Sequence, residues 1–129
     1  MRAEIIIIGA GMAGLMAGRI LSQAGREVLI LDKGRRIGGR MASRRDSGLL
    51  FNHGAQFVTA HSPVFSALCE GAIDSGIMEK WPLSGRDNGF TGRPSIRDIA
   101  SFIGANLSVQ QEVEIVHITH SQNSFILQN

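Results

Sequence analysis

The sequence predicts an α/β fold in which a parallel sheet is nucleated by its first strand-helix-strand unit, and three observations predict it. Ile5-Ile6-Ile7-Ile8 is a continuous β-branched run ending in glycine, the pattern of a strand covered on both faces. Between Met12 and Ala24 the apolar residues Leu15, Met16, Ile20 and Leu21 recur near helical spacing, and Gly25 follows as a left-handed C-terminal cap. Val28-Leu29-Ile30-Leu31 then repeats the character of the first strand and ends at Asp32. Such a unit carries a right-handed connection, and its first strand is expected at the centre of the sheet.

Residues 33–48 hold glycines and arginines without apolar periodicity and read as a loop. Ser62-Pro63 reads as an N-cap with proline in the first turn, and Phe65, Leu68, Cys69, Ala72 and Ile73 form one helical face after it. Residues 81–94, punctuated by Pro82, Gly85, Gly89, Gly92 and Pro94, read as an irregular connection between lobes. Ser95 with Asp98 resembles a capping box, and Ile96, Ile99, Ala100, Ile103 and Leu107 mark another amphipathic helix. Gly104 inside that helix costs about 1 kcal/mol against alanine. Val113 to Ile118 and Phe125 to Leu127 read as two strands around Ser121-Gln122-Asn123, the C-terminal strands forming a β-meander. By role, residues 1–58 and 91–129 are expected to form an incomplete nucleotide-binding domain, and 59–90 to begin a second, substrate-binding lobe. The last strand has no closing turn, which suggests an excerpt of a longer chain.

Composition narrows the class. With 129 residues, 43% hydrophobic and 19% charged, the chain suits one folded globular domain. Net charge is only +2, yet Lys33, Arg35, Arg36, Arg40, Arg44 and Arg45 concentrate the positive charge on one segment and point to an anionic ligand. A nucleic-acid patch competes with that reading, and the lack of interleaved aromatic residues disfavours it. The single Cys69 excludes an internal disulfide, fits a reducing cytoplasm and reads as core. His53, His61, His117 and His120 lack metal-ligand spacing, so no metal is expected. The apolar start is preceded by Glu4 and interrupted by four glycines, against a signal peptide or membrane span.

The chemistry lies in Gly9-Ala10-Gly11-Met12-Ala13-Gly14, a G-x-G-x-x-G between a predicted strand and a predicted helix. Gly9 permits the tight turn, Gly11 removes a side chain that would block a pyrophosphate, and Gly14 lets helix and sheet approach closely. The helix N-terminus offers free N–H groups to the phosphates. Asp32, at the end of the second strand, can accept hydrogen bonds from ribose hydroxyls and would repel a 2′-phosphate. NAD and FAD fit this much equally. Arg36-Ile37-Gly38-Gly39-Arg40-Met41 tips the reading toward FAD, because a glycine pair allows close backbone approach and an arginine can clamp phosphate bidentately. A solvated basic loop is the alternative.

Residues 32–43, Asp-Lys-Gly-Arg-Arg-Ile-Gly-Gly-Arg-Met-Ala-Ser, followed by Asn52-His53-Gly54-Ala55-Gln56-Phe57, resemble the flavin-containing amine oxidase superfamily, and within it the renalase-like branch. The resemblance implies FAD as cofactor in a Rossmann-like fold. It implies that Gly38, Gly39 and Arg40, continuing into Met41, meet the pyrophosphate, with Asp32 and Lys33 near the adenosine ribose. It implies too that Gly54, Ala55, Gln56 and Phe57 pass beside the flavin ring and that the backbone of Val113 receives the adenine. The family usually carries an acid where Asn52 stands. The implied activity of the parent is hydride transfer from a small reduced substrate to flavin, with NAD(P)H among the partners this class admits and no nucleic acid or membrane. An NAD-dependent dehydrogenase and a non-catalytic dinucleotide-binding module are the competing functions. No catalytic residue is assigned, since His53 and His61 read as structural.

Overall fold

The computed structural model describes residues 2–81, 85 and 87–129. The order is β1 (Ile5–Ile8), α1 (Met12–Gln23), β2 (Val28–Leu31), β3 (Ser43–Asp46), β4 (Leu49–Asn52), β5 (Val58–Thr59), α2 (Pro63–Asp74), β6 (Met78–Lys80), β7 (Gly89–Gly92), α3 (Ile96–Gly104), β8 (Ser108–Gln110), β9 (His117–Ser121) and β10 (Ser124–Gln128). The chain forms two compact units, residues 1–39 with 106–129, and residues 40–105. Packing thus divides the chain at 39/40 and 105/106, whereas the division expected by role lies at 58/59 and 90/91.

In the discontinuous unit, β1 and β2 run parallel with Ile5 opposite Val28 and Ile8 opposite Leu31, and β8 adds in parallel on the far side of β2. The order β1-β2-β8 places β2 in the middle, not β1 as the four isoleucines suggested. Consistent with an edge position, Ile8 is 51% exposed while Ile30 is fully buried. Helix α1 covers the sheet through Leu15 and Gly18, and a Cβ on Gly18 would stand 2.8 Å from Ile30 Cδ1 and 3.4 Å from Leu107 Cδ1. Leu107 therefore belongs to this unit and not to the face of α3, which ends at Gly104. Gly104 is a terminal residue of α3, so the interior glycine cost expected for it does not arise.

The expected strand from Val113 begins later, at His117, because residues 113–116 form no ladder. The unforeseen β8 lies just before them. Of the expected meander, β9 and β10 form a two-residue-turn hairpin, with Gln122 at φ 46. Alternation across β9 places His117 and His120 on opposite faces, and His120 pairs with Phe125 at a ring separation of 5.0 Å.

In the continuous unit, the end of the stretch read as loop, 33–48, forms strand β3 and the turn of a hairpin that β4 completes. Its turn, Ser47-Gly48, has both residues at positive φ (49 and 80), the geometry that matches the twist of paired strands. A three-stranded antiparallel sheet has the order β5-β7-β6. Its middle strand, Gly-Phe-Thr-Gly, corrects the irregular reading of 81–94; Pro82 in that stretch lies outside the described residues. Gly92 marks close packing there, since a Cβ would fall 2.1 Å from Ser95 O. Both expected caps form: the Ser62 hydroxyl accepts from Phe65 N–H at 3.2 Å, and Ser95 with Asp98 closes a capping box. Cys69, Ala72, Met78, Ile96, Ile99, Ala100 and Ile103 form the core, and burial pushes the Cys69 thiol up to about 11, helped by Glu70.

Candidate functional site

The glycine motif occupies the turn from β1 into α1. Gly9 takes φ 103, a conformation that glycine adopts without strain, and Gly9 N–H reaches Leu31 O at 2.7 Å. Gly11 is the N-cap of α1 in extended conformation, with no side-chain cap and no acid in the first turn. A Cβ on Gly14 would lie 1.9 Å from Gly9 O, whereas one on Gly11 would meet nothing within 4 Å. The first glycine allows the turn, the third is filled by protein, and the second opens onto space. Met12 and Ala13 follow as the first helical residues, with amides that no earlier turn of helix can use.

The second loop returns to this turn. Gly38 N–H donates to Ala10 O at 2.8 Å, a parallel bridge pairs Gly11 with Gly38, and a Cβ on Gly39 would stand 3.3 Å from Gly11 Cα. Gly38 and Gly39 have φ 113 and 53, so both conformation and clearance call for glycine.

Asp32 lies at the same rim, with its carboxylate already engaged. Oδ2 accepts from Ala10 N–H at 2.6 Å and Oδ1 from Gly34 N–H at 2.7 Å. Val113 N–H donates to Asp32 O at 3.0 Å, so an adenine contact at Val113 would fall to its carbonyl. Lys33 forms an exposed pair with Glu114 at 3.5 Å, a contact of small energetic weight.

In the continuous unit, Arg40, Ala42, His53, Gly54 and Ala55 line a depression of about 540 Å³. Gly54 is packed onto the 40–42 backbone, where a Cβ would lie 2.0 Å from Arg40 O, and Ala55 N–H donates to that same oxygen at 2.9 Å. The Met41 side chain is buried, which leaves only its backbone for a ligand. Gln56 turns back, its side-chain amide donating to Asn52 O at 2.9 Å, while its carbonyl accepts from the Thr91 hydroxyl at 3.0 Å. Phe57 is half-buried and directly precedes β5.

At the position where the resemblance leads one to expect an acid, Asn52 Oδ1 accepts from Ile96 N–H at 3.1 Å. The acceptor is kept and the charge is lost. Beside it the buried Ser43 hydroxyl donates to Ser95 Oγ at 3.0 Å, and the Ser95 hydroxyl donates to Asp98. Sequence reasoning passed over Ala10, Gly34 and this serine pair. The Asp-x-Gly spacing of 32–34, a turn signal, could have found Gly34. Nothing in the sequence marks Ala10, whose role is carried by its backbone.

Among the described residues no group of three or more His, Cys, Asp or Glu could hold a metal ion, and no helix is long and apolar enough to cross a membrane.

The family model for the NAD(P)-binding Rossmann-like domain matches residues 7–71. Putrescine oxidase of Kocuria rosea is 37% identical over 67 residues, 52% of this chain and 14% of its own. L-amino-acid oxidase of Mus musculus is 38% identical over 68 residues, 51% of this chain and 11% of its own. The chain thus spans a small part of the curated relatives it matches. A solved structure of putrescine oxidase bound to putrescine superposes with a TM-score of 0.50 at 28% identity, over 63% of this chain and 17% of that one. A structure from Exiguobacterium sp. 255-15 assigned as a protoporphyrinogen oxidase covers 96% of this chain and 55% of its own, with a TM-score of 0.75 at 10% identity, a likeness of fold alone. The chain belongs to the NAD(P)-binding Rossmann-like domain family, and the relatives it resembles include putrescine, polyamine and L-amino-acid oxidases.

Proposed function

We propose that this chain holds the ADP half of FAD in an oxidoreductase of amine-oxidase type, closest in its motifs to the renalase-like branch. The observation that carries the reading is the seating of the Gly38-Gly39 pair on the Gly9–Gly14 turn, through Gly38 N–H to Ala10 O at 2.8 Å. Two glycine-lined backbones meet there beside an uncapped helix start and an open Gly11, a setting that suits a diphosphate. A fold for NAD alone more often continues from its second strand into another crossover helix.

In this reading the amides of Gly11, Met12 and Ala13 face the diphosphate. Arg40, the next residue after the seated glycine pair, supplies its counter-charge as a bidentate donor. Lys33 and the Val113 carbonyl flank the adenosine, and Gly54, Ala55, Gln56 and Phe57 form the wall beside the ring system. Bound FAD supplies acceptance of a hydride from a small reduced substrate, and the protein's part is binding, orientation and exclusion of water. By role, residues 1–58 and 91–129 serve the cofactor, and 59–90 open the substrate lobe. The buried single thiol supports a cytoplasmic, reducing setting.

The test is the flavin content of the purified full-length protein. A yellow protein with flavin absorbance is expected, and Arg40→Ala is expected to lose its flavin on dialysis. Saturable NADH binding in a colourless protein would replace this reading with a dehydrogenase, and full flavin retention by Arg40→Ala would remove Arg40 from the phosphate site.

A further inference from the structure

We infer that Ser95 and Asp98, at the start of α3, are positioning residues of the proposed cofactor site: with Ser43 and Asn52 they hold the open end of hairpin β3-β4, which presents Arg40, Gly54 and Ala55. This assignment rests on the FAD-binding reading for the use of that end, and on hydrogen bonds within the continuous unit for how the end is held.

Hairpin β3-β4 is a two-stranded sheet of its own, and such a pair is marginal in water without further support. Its last register pair is Ser43 with Asn52. Beyond that pair the two chains line the depression, Arg40 and Ala42 on one side, and His53, Gly54 and Ala55 on the other. Backbone ties the two sides together, since Ala42 O accepts from His53 N–H at 3.1 Å and Arg40 O accepts from Ala55 N–H at 2.9 Å. Where this end stands is decided by what the Ser43–Asn52 pair is fastened to.

Paired residues of a ladder share a face, and both of these reach the start of α3. Asn52 Oδ1 accepts from Ile96 N–H at 3.1 Å, and the Ser43 hydroxyl donates to Ser95 Oγ at 3.0 Å. Ser95 in turn donates its hydroxyl to Asp98 Oδ2 at 2.6 Å and its N–H to the same oxygen at 3.0 Å. A carboxylate only accepts, so the Ser95 proton is committed to Asp98 and its lone pairs are left for Ser43. The direction of the chain, Ser43 to Ser95 to Asp98, is thus set from the Asp98 end. Both serines are buried, so a hydroxyl deprived of its partner has no water to turn to. The anchor is firm, since Ile96, Ile99, Ala100 and Ile103 of α3 are fully buried. Met41 is buried too, yet a flexible apolar side chain fixes depth without direction, and the hydrogen-bonded pair supplies the register.

The test uses three variants of the full-length protein. Ser43→Ala removes the link and leaves the capping box of α3 in place, whereas Ser95→Ala removes link and cap together. Ser62→Ala is the control, because it strips an N-cap from α2 in the same unit and the Ser62 hydroxyl serves Phe65 N–H of its own helix. FAD titration and amide exchange are read for each. Ser43→Ala and Ser95→Ala are expected to bind FAD about tenfold more weakly, with Ser62→Ala within about twofold of wild type. In Ser43→Ala the His53 and Ala55 amides should exchange faster, while Ile103 in α3 does not. Unchanged FAD affinity or unchanged His53 and Ala55 rates in Ser43→Ala would overturn the assignment, as would an equal loss of FAD affinity in Ser62→Ala. If Ser43→Ala fails to fold, Asp98→Asn decides: losing the charge that directs the chain should speed the same two amides, and unaltered rates refute the inference. A wild type that binds no FAD would refute the cofactor reading instead, and the two amides then judge the hairpin anchor by themselves.

Discussion

Alanine at Gly14 and alanine at Gly11 should fail in opposite ways, although the residues lie three apart in one motif. At Gly14 the new Cβ would sit 1.9 Å from the carbonyl oxygen of Gly9, and Cβ contacts under 3.0 Å essentially do not occur. The obstacle is backbone, so no rotamer relieves it, and α1 must retreat from β1 by about 1 Å, the scale of a typical overpacking defect. Such defects cost about 1–3 kcal/mol, which for a chain of this size lowers the thermal midpoint by roughly 4–12 °C. At Gly11 a Cβ meets nothing within 4 Å, and φ −76 is open to alanine. The fold should lose under about 1 kcal/mol, the cost of a weaker N-cap. The methyl group would instead occupy the ligand's space, weakening ADP by about tenfold or more. Thermal unfolding and ADP titration of both variants separate the cases. An unshifted midpoint for Gly14→Ala, or full ADP affinity for Gly11→Ala, would refute the division of roles.

Asn52→Leu should cost about 1–3 kcal/mol in denaturant unfolding by stripping Ile96 N–H of its acceptor, whereas Asn52→Asp keeps the acceptor and should stay within about 1 kcal/mol of wild type. Cys69 should resist thiol reagents at pH 8 until the protein unfolds, and labelling of the native chain at the rate of a free thiol would contradict its burial. Because its thiol is raised from 9.0 to about 11 in the folded chain, its contribution is complete below the lower value and lost as pH climbs through that window. Cys69→Ala should flatten this alkaline decline in the urea midpoint.

What the sequence made legible follows from how local the physics is. The first strand-helix-strand unit, the Ser62 and Ser95 caps and the glycine turn were readable because each is set by residues within a turn or two of one another. The position of β1 was not, since Ile5–Ile8 records the apolar character of a strand and not which neighbours the sheet supplies. Strand β7 was hidden because Gly89 and Gly92 read as punctuation, while Gly92 is glycine to admit Ser95. Hairpin β3-β4 was hidden because Ser43–Asp46 is polar and largely exposed, leaving only Ser47-Gly48 as a signal. At the site, the residue types were visible and their partners were not. Asp32 stood out as an acid at a strand end, yet its bond to Ala10 joins residues 22 apart and only folded geometry reveals it.

The pairing of β8 with β2 also orders events during synthesis. Residue 32 leaves the ribosome long before Gln110 and Val113, the partners of its own peptide groups. The stretch from 40 to 105 is meanwhile complete and contiguous, free to close first as it emerges. The proposed nucleotide site begins with the earliest residues made and its sheet is finished by some of the last, so a chain halted before residue 108 would carry the whole glycine signature without the strand that flanks β2.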